Sequence, residues 1–193
     1  MASKIIVDQI EKTGGSLTAL TLPTGNASAG QVLQNDGSGN LSWAADAGGK
    51  ILQVVYFPYS TAETSTSATL SDTSLTVDIT PVSTSNKVLI LLSVPVRSDR
   101  NSTYTGTVLA AAKFAITRGG SEIYVNQLHS SGANFTSGTS YIETNLSIAY
   151  LDSPSADAAT TYTFQISSTQ TNMTTTAFIG GLVGNIIAME IAA

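Results

Sequence analysis

Five side chains that could bind a ligand follow the apolar run 88–96 of this sequence. They are Arg97, Asp99, Arg100, Asn101 and Tyr104. A guanidinium forms forked hydrogen bonds and a tyrosine ring stacks on flat surfaces, so this group suits contacts to a glycan or a protein. The alternative is a solvated loop in which Asp99 forms one local ion pair, with Arg97 or Arg100.

Residues for catalysis or metal binding are scarce in the chain. His129 is the single histidine, cysteine is absent, and no Gly-x-Ser-x-Gly motif occurs. A Ser-His-Asp triad is therefore not indicated, and a metal site built from two histidines of one chain is excluded. The segment that begins at Asp36 resembles the start of a calcium loop, but Ala47 stands where the loop needs its twelfth-position carboxylate.

Four acidic residues are available for glycoside cleavage by a carboxylate pair: Glu63, Asp72, Asp99 and Glu143. Their sequence context favours other roles. Asp72 precedes a strand as a turn residue, Glu143 occupies an outward strand position, and Asp99 has arginine neighbours. We therefore predict that the chain is not an enzyme and carries no cofactor and no metal.

Charge and hydropathy argue against two classes of partner. The 193 residues carry a net charge of −5, the pI is about 4.6, and the few basic residues are scattered, so nucleic acid is not an expected partner. The run 88–96 is much shorter than the ~20 apolar residues of a spanning helix. Residues 1–10 lack the apolar core of a secretion signal. We expect neither a signal peptide nor membrane insertion.

Alternating apolar and polar residues predict an all-β fold. Serine and threonine are abundant, and no helical apolar stripe stands out. After residue 49 we predict an eight-stranded antiparallel jelly-roll-like sandwich. The approximate strand spans are 50–57, 73–80, 87–96, 108–117, 121–127, 141–151, 160–168 and 184–192.

The alternation also predicts which side chains face the core. Four inward rows stand out: Leu75, Val77 and Ile79; Ile142, Leu146, Ile148 and Tyr150; Tyr162, Phe164 and Ile166; and Ile187, Met189 and Ile191. Pro95 has no N–H for a strand ladder, so we expect the strand to end, bulge or reach a sheet edge there. Gly119 and Gly120 predict a two-residue hairpin turn.

Loop lengths predict which residues lie at the free tip of this sandwich. If consecutive strands run antiparallel, the short loops 81–86, 118–120 and 152–159 share one end, and the long loops 58–72, 97–107, 128–140 and 169–183 share the other. The chain enters at the short-loop end, so the long loops form the tip. Beside the arginine-containing cluster, we therefore predict four further residues at the tip that could contact a partner: Tyr59, His129, Asn134 and Phe135.

Residues 1–49 form a separate segment of short strands and turns. Asp36, Gly37, Gly39 and Asn40 predict a tight turn between two strands that end near Trp43. A joint of mostly small residues, 44–49, then leads into the domain 50–193. Four apolar residues near the start, Ile5, Ile6, Val7 and Ile10, are candidates for attachment to another protein.

The strand 50–57 is apolar on both faces. Leu52, Val54 and Tyr56 lie on one face, and Ile51, Val55 and Phe57 lie on the other. One face can cover the core of the domain. The other face requires a second cover, which could be a neighbouring subunit or the chain's own loops.

Several of these segments resemble parts of bacteriophage fibres. Residues 30–33 (GQVL) and 36–43 (DGSGNLSW) resemble a linker module of phage tail fibres and other virion appendages. Residues 50–55, 79–90, 150–154 and 188–193 resemble the C-terminal domain of fibre-like proteins of marine cyanophages and related podoviruses. The resemblance covers most of the chain and brings no catalytic motif.

This resemblance implies a virion location and a structural role. It favours a homotrimeric fibre or appendage subunit, attached to other virion proteins through its N-terminal segment, whose tip contacts a host-surface glycan or protein. The alternative is a capsid decoration protein or a tail or neck adaptor that binds another virion protein and has no host receptor.

Overall fold

The structure is a computed structural model that describes residues 9–10, 20–46, 50–100, 112–128, 141–169 and 173–193. The described residues form β-strands joined by turns, with one short 3-10 turn and no α-helix, so the predicted all-β fold is confirmed. Within the described part, no helix is long and apolar enough to cross a bilayer. The chain divides into two compact units, Met1–Gly48 and Gly49–Ala193.

The first unit contains two antiparallel strand pairs. Strand β1 (Gln9–Ile10) pairs with β2 (Leu20–Thr21), and β3 (Gln31–Asn35) pairs with β4 (Leu41–Ala45), which confirms the predicted hairpin. Asp36 stabilises the β3–β4 turn because its carboxylate accepts the backbone N–H groups of Ser38 at 2.7 Å and Asn40 at 3.1 Å, and the Asn40 side-chain amide at 2.7 Å. The side-chain bond from Asn40 and these backbone bonds lower the pKa of Asp36.

The second unit has ten strands among its described residues. They are β5 (Ile51–Tyr59), β6 (Glu63–Ser65), β7 (Ser71–Ile79), β8 (Lys87–Arg100), β9 (Ala112–Arg118), β10 (Ser121–Leu128), β11 (Tyr141–Asp152), β12 (Thr160–Ser168), β13 (Met173–Ala177) and β14 (Gly184–Ile191). Both residues of the β9–β10 turn have positive φ, Gly119 at 53° and Gly120 at 84°, as the predicted two-residue turn requires.

These ten strands occupy eight strand positions. Strands β14 and β13 pair with the same edge of β8, β14 opposite 87–93 and β13 opposite 96–100. Their outer neighbours are β5 and β6, and β11 pairs with the other edge of β8. The first sheet therefore has four positions, and the second has the order β10-β9-β12-β7.

This connectivity is that of a jelly roll. With the positions numbered along the chain, the first sheet has the order 1-8-3-6 and the second 5-4-7-2, and all neighbours are antiparallel. The sequence-based prediction of a jelly-roll-like sandwich is confirmed. It missed β6 and β13, which lie in segments assigned to long loops, because both are short and rich in serine and threonine.

Pro95 lies inside β8 rather than at its end. Its carbonyl accepts the N–H of Phe178 at 2.9 Å. Because the N and C=O of one strand residue point to the same side, the missing N–H faces the gap between β14 and β13, where no ladder bond is lost. The strand therefore continues to Arg100, paired with β11 throughout.

The core lies between the two sheets. The rows Leu75, Val77, Ile79 and Tyr162, Phe164, Ile166 are buried as predicted, and Ile148 is the buried member of the β11 row, whose other residues are partly buried. The prediction for β14 is wrong. Its buried row is Ile186, Ala188 and Glu190, and Ile187, Met189 and Ile191 lie on the outer face. Both faces of β14 are apolar, so hydrophobicity alone selected the wrong row.

The two ends of the sandwich are distinguished by the strand register. At one end, called proximal here, Ile191 lies opposite both Ile51 and Lys87, and the N–H of Ala192 binds the carbonyl of Lys50 at 2.7 Å. The beginning of the first strand, β5, and the end of the last strand, β14, thus lie side by side at the proximal end. The opposite, distal end is where β8 finishes at Arg100.

Candidate functional site

The proximal half of the outer face of the first sheet is apolar. Strand register places two complete rows across the four strand positions, Val54–Met189–Leu89–Leu151 and Tyr56–Ile187–Leu91–Ala149. Leu52 on β5 belongs to the same face. Four of these side chains are prominently exposed: Leu52 at 43%, Val54 at 56%, Tyr56 at 55% and Leu151 at 50%. We call these nine residues the apolar half.

The distal half of the same face is polar and aromatic. Arg97 Nε donates to Asp99 Oδ1 at 2.6 Å, and the guanidinium carbon lies 4.2 Å from the centroid of the Tyr141 ring. Glu143 lies opposite Arg97 in the β8–β11 register. Nearer the middle of the face, Asn145 donates to the Ser93 hydroxyl at 2.9 Å. The polar half consists of Ser93, Arg97, Asp99, Tyr141, Glu143 and Asn145.

The structure places the residues predicted to contact a receptor in different environments. Arg97 and Asp99 lie on the exposed face of β8, not in a loop, because the inward-outward alternation of the strand continues to Arg100. Arg100 faces inward and is 3% exposed, so its assignment as a receptor contact is corrected. Tyr59 is partly buried and packs edge-on against Phe178, with ring centroids 5.0 Å apart.

The remaining predicted tip residues lie outside the described residues. They are Asn101, Tyr104, His129, Asn134 and Phe135. Tyr141 was not predicted, since its position beside Arg97 depends on the pairing of β11 with the distal end of β8. The alternation of apolar and polar residues in 141–151 was the sequence signal that places Tyr141 on the outward side of its strand.

The six interface candidates on β5 are divided between two faces. Leu52, Val54 and Tyr56 belong to the apolar half. Phe57, opposite the buried Ile186, is 38% exposed on the other face, whereas a register shift at Glu190–Ile191 places Ile51, which is 52% exposed, opposite Ile191 on the outer face. Val55 is partly buried and packs against the core. Of the attachment candidates, Ile10 lies in β1, whereas Ile5, Ile6 and Val7 lie outside the described residues.

A buried carboxylate joins three segments at the proximal end. Glu190 is 0% exposed. Its oxygens accept the N–H of Val82 at 2.7 Å, the amide of Asn86 at 2.6 Å and the amide of Gln53 at 2.6 Å. Burial raises the pKa of Glu190, but the hydrogen bonds from Asn86, Gln53 and Val82 together outweigh it, so the pKa is lowered. This group holds β14, β5 and the connection before β8 together beneath the apolar half.

A second buried carboxylate connects the two sheets. Asp152, at the end of β11, accepts two bonds from Arg118 Nη1 at 2.9 and 2.8 Å and one from the Tyr162 hydroxyl at 2.8 Å. Burial and the bond to Asp152 raise the pKa of Tyr162 well above its usual value. Both buried carboxylates are satisfied by protein donors and stabilise the fold.

The described residues contain no group of three or more His, Cys, Asp or Glu side chains that could hold a metal ion. The outer face offers apolar burial in one half, and hydrogen bonding with aromatic stacking in the other.

Comparisons with known proteins give little further information. No protein family matches the chain, and no curated protein sequence matches it. Structural similarity was found to dimeric latent PorU from Porphyromonas gingivalis, with a TM-score of 0.35, 6% identity, and coverage of 77% of this chain and 13% of that one. The infectious bursal disease virus VP2 subviral particle gives a TM-score of 0.32, 11% identity, and coverage of 94% and 46%.

The Gx strain of infectious bursal disease virus gives a TM-score of 0.29 at 11% identity, covering 79% of this chain and 39% of that one. The chain thus spans less than half the length of each of these proteins. Scores of this size establish neither a shared fold nor a shared function.

Proposed function

We propose that this protein is a structural subunit of a bacteriophage virion, a homotrimeric fibre or appendage protein. Its N-terminal segment attaches to other virion proteins, and the distal end of its jelly roll contacts a host-surface glycan or protein. The proposal assigns the chain no catalytic role.

The resemblance of the sequence segments to phage fibre proteins supports the virion location. The jelly-roll order agrees with it, since jelly rolls are common in viral capsid and lectin domains. That agreement is an analogy between folds, because one fold serves many functions.

The apolar half is the observation that carries the subunit assembly. Four of its nine side chains are 43% to 56% exposed within one chain, and a contiguous apolar surface of this kind often marks a protein interface. The face lies on paired strands and has no charged side chain among its nine residues. Packing of three such faces around a common axis would remove them from water.

Light scattering of the full chain tests the assembly. We expect a particle of three times the monomer mass of 19.9 kDa. Val54→Glu places a charge in the apolar half and should shift the mass to that of a monomer without unfolding the jelly roll, because Val54 is 56% exposed within one chain. Val125→Glu, at a 42% exposed position on β10 of the second sheet, is the matched control and should stay trimeric. A wild-type monomer contradicts the assembly.

Purified phage particles test the location. Immunogold labelling with antibody against the jelly-roll unit should mark an appendage on the particle surface. Absence of the protein from purified particles would contradict the virion role. Incubation with host polysaccharide should release no reducing ends, and their release would contradict the absence of catalysis.

A further inference from the structure

We propose that the polar half binds a neutral saccharide, with the Tyr141 ring as the stacking surface and the Asp99 and Glu143 carboxylates as hydroxyl acceptors. This inference rests on the proposed host-contact function and gives it a site and a ligand class. It replaces the loop-based cluster around Arg100 and Tyr104 with residues on two paired strands.

The polar half is held in place before any ligand binds. Arg97 is fixed from two sides, by its hydrogen bond to Asp99 and by its guanidinium lying 4.2 Å from the Tyr141 ring centroid. β8 and β11 are paired without interruption from Val88–Asp152 to Asp99–Tyr141. A site on two rigid strands loses little conformational entropy when a ligand binds.

The chemistry matches a sugar ring. Tyr141 remains 57% exposed although Arg97 lies over its ring, so the tyrosine can meet the C–H face of a pyranose. Glu143 is exposed and lies opposite Arg97 across the strand pair, on the same face as Asp99. Carboxylates accept hydrogen bonds and donate none at neutral pH, which suits the donor hydroxyls of a sugar.

The formal charges of the polar half and of the whole chain favour a neutral ligand over an anionic one. Among the six residues of the polar half, the cation Arg97 is matched by Asp99, and Glu143 leaves a net charge of −1. The whole chain carries −5. An acidic polysaccharide or a phosphate would meet repulsion from both sources.

The types of side chain in the polar half favour a saccharide over a protein partner. Protein interfaces concentrate their binding energy on apolar or aromatic anchors in desolvated pockets. On this outer face the described large apolar side chains are concentrated in the apolar half, and Tyr141 is the aromatic side chain of the polar half.

Saturation-transfer NMR with the full chain tests the inference. The probes are neutral oligomers of glucose, galactose and mannose, together with oligomers of galacturonate as the acidic comparison. We expect transfer to at least one neutral oligomer and none to galacturonate. Tyr141→Ala should weaken the neutral binding about tenfold or more, whereas Tyr141→Phe, which keeps the ring, should retain most of it.

Two further variants complete the test. Glu143→Gln at an exposed position should weaken binding without affecting folding, and Val125→Ala on the second sheet should change nothing. Equal binding by Tyr141→Ala and wild type, preference for galacturonate, or no transfer to any neutral oligomer overturns the inference. A trimer that binds no neutral sugar overturns only this site, whereas a monomer that binds sugar through Tyr141 overturns only the subunit assembly.

Discussion

Glu190→Gln should destabilise the jelly-roll unit by about 3 kcal/mol at neutral pH. Glu190 accepts three N–H donors, at 2.7 Å from Val82, 2.6 Å from Asn86 and 2.6 Å from Gln53. Glutamine has one oxygen, so its amide nitrogen would face the amide nitrogen of Asn86 or Gln53. Rotation of Gln53 could relieve one clash, but its amide also donates to the Thr80 carbonyl at 2.7 Å, and that bond would be lost.

The magnitude follows from two separate losses. One buried donor without a partner costs about 1–3 kcal/mol, and replacement of charge-assisted bonds by neutral ones removes roughly 1 kcal/mol more. The sum is a large fraction of the 5–15 kcal/mol that stabilises a typical domain. Exposed Glu122 on β10 provides the control, and Glu122→Gln should stay within about 0.5 kcal/mol of wild type.

Urea unfolding at one protein concentration measures the effect. All seven tyrosines follow residue 48 and the one tryptophan, Trp43, precedes it, so tyrosine near-UV signals report the jelly roll and tryptophan fluorescence reports the first unit. The tyrosine transition should shift while the Trp43 transition stays unchanged. A Glu190→Gln protein as stable as the Glu122→Gln control would refute the reasoning.

The same variant tests the pH dependence of stability. Since folding lowers the pKa of Glu190, its contribution is complete above the unfolded value of about 4.3 and is lost as the pH falls through the folded pKa. Wild type should therefore lose more stability between about pH 5 and 3 than Glu190→Gln does. Equal losses in the two proteins would show that Glu190 does not titrate differently on folding.

Two further predictions concern buried contacts. A Cβ on Gly184 would lie 2.6 Å from the ring of Phe178, which is 0% exposed. Gly184→Ala should therefore lower the free energy of unfolding in urea by about 2 kcal/mol. An unchanged urea midpoint would contradict this packing. Because folding raises the pKa of Tyr162, the stability that its protonated hydroxyl contributes is complete below the unfolded pKa of about 10 and is lost as the pH rises through the higher folded pKa. Tyr162→Phe should be less stable than wild type at neutral pH, although Asp152 keeps its bonds from Arg118. The variant should lose less stability than wild type as the pH rises into the alkaline range. Identical pH profiles of the two proteins would argue against a stabilising role of the Tyr162 hydroxyl.

Local patterns were sufficient for most of the fold. Gly119-Gly120 fixed a turn whose positive φ values few other residue pairs adopt, and the alternation of β7 and β12 identified their buried rows. These features depend on neighbours in sequence, so they can be read without knowing the sheet order. The jelly-roll class followed from the number and spacing of the strands.

The errors arose where long-range pairing decides the outcome. On β14 both rows are apolar, and only the donors on Gln53, Val82 and Asn86 explain why Glu190 is on the buried one. Charged residues after Val96 indicated a loop, whereas pairing with β11 and β13 extends β8 to Arg100. For the same reason the neighbour of Arg97 on its own strand, Asp99, was foreseen as an ion-pair partner and Tyr141 was not.

Thiol labelling at one position of the apolar half tests the subunit assembly most directly. The chain has no cysteine, so Val54→Cys and Val125→Cys each introduce a single thiol, at positions 56% and 42% exposed within one chain. If subunits pack through the apolar half, a bulky maleimide should label Val54→Cys more than about tenfold slower than Val125→Cys, because labelling requires subunit separation. Equal rates, or faster labelling of Val54→Cys, would contradict the account.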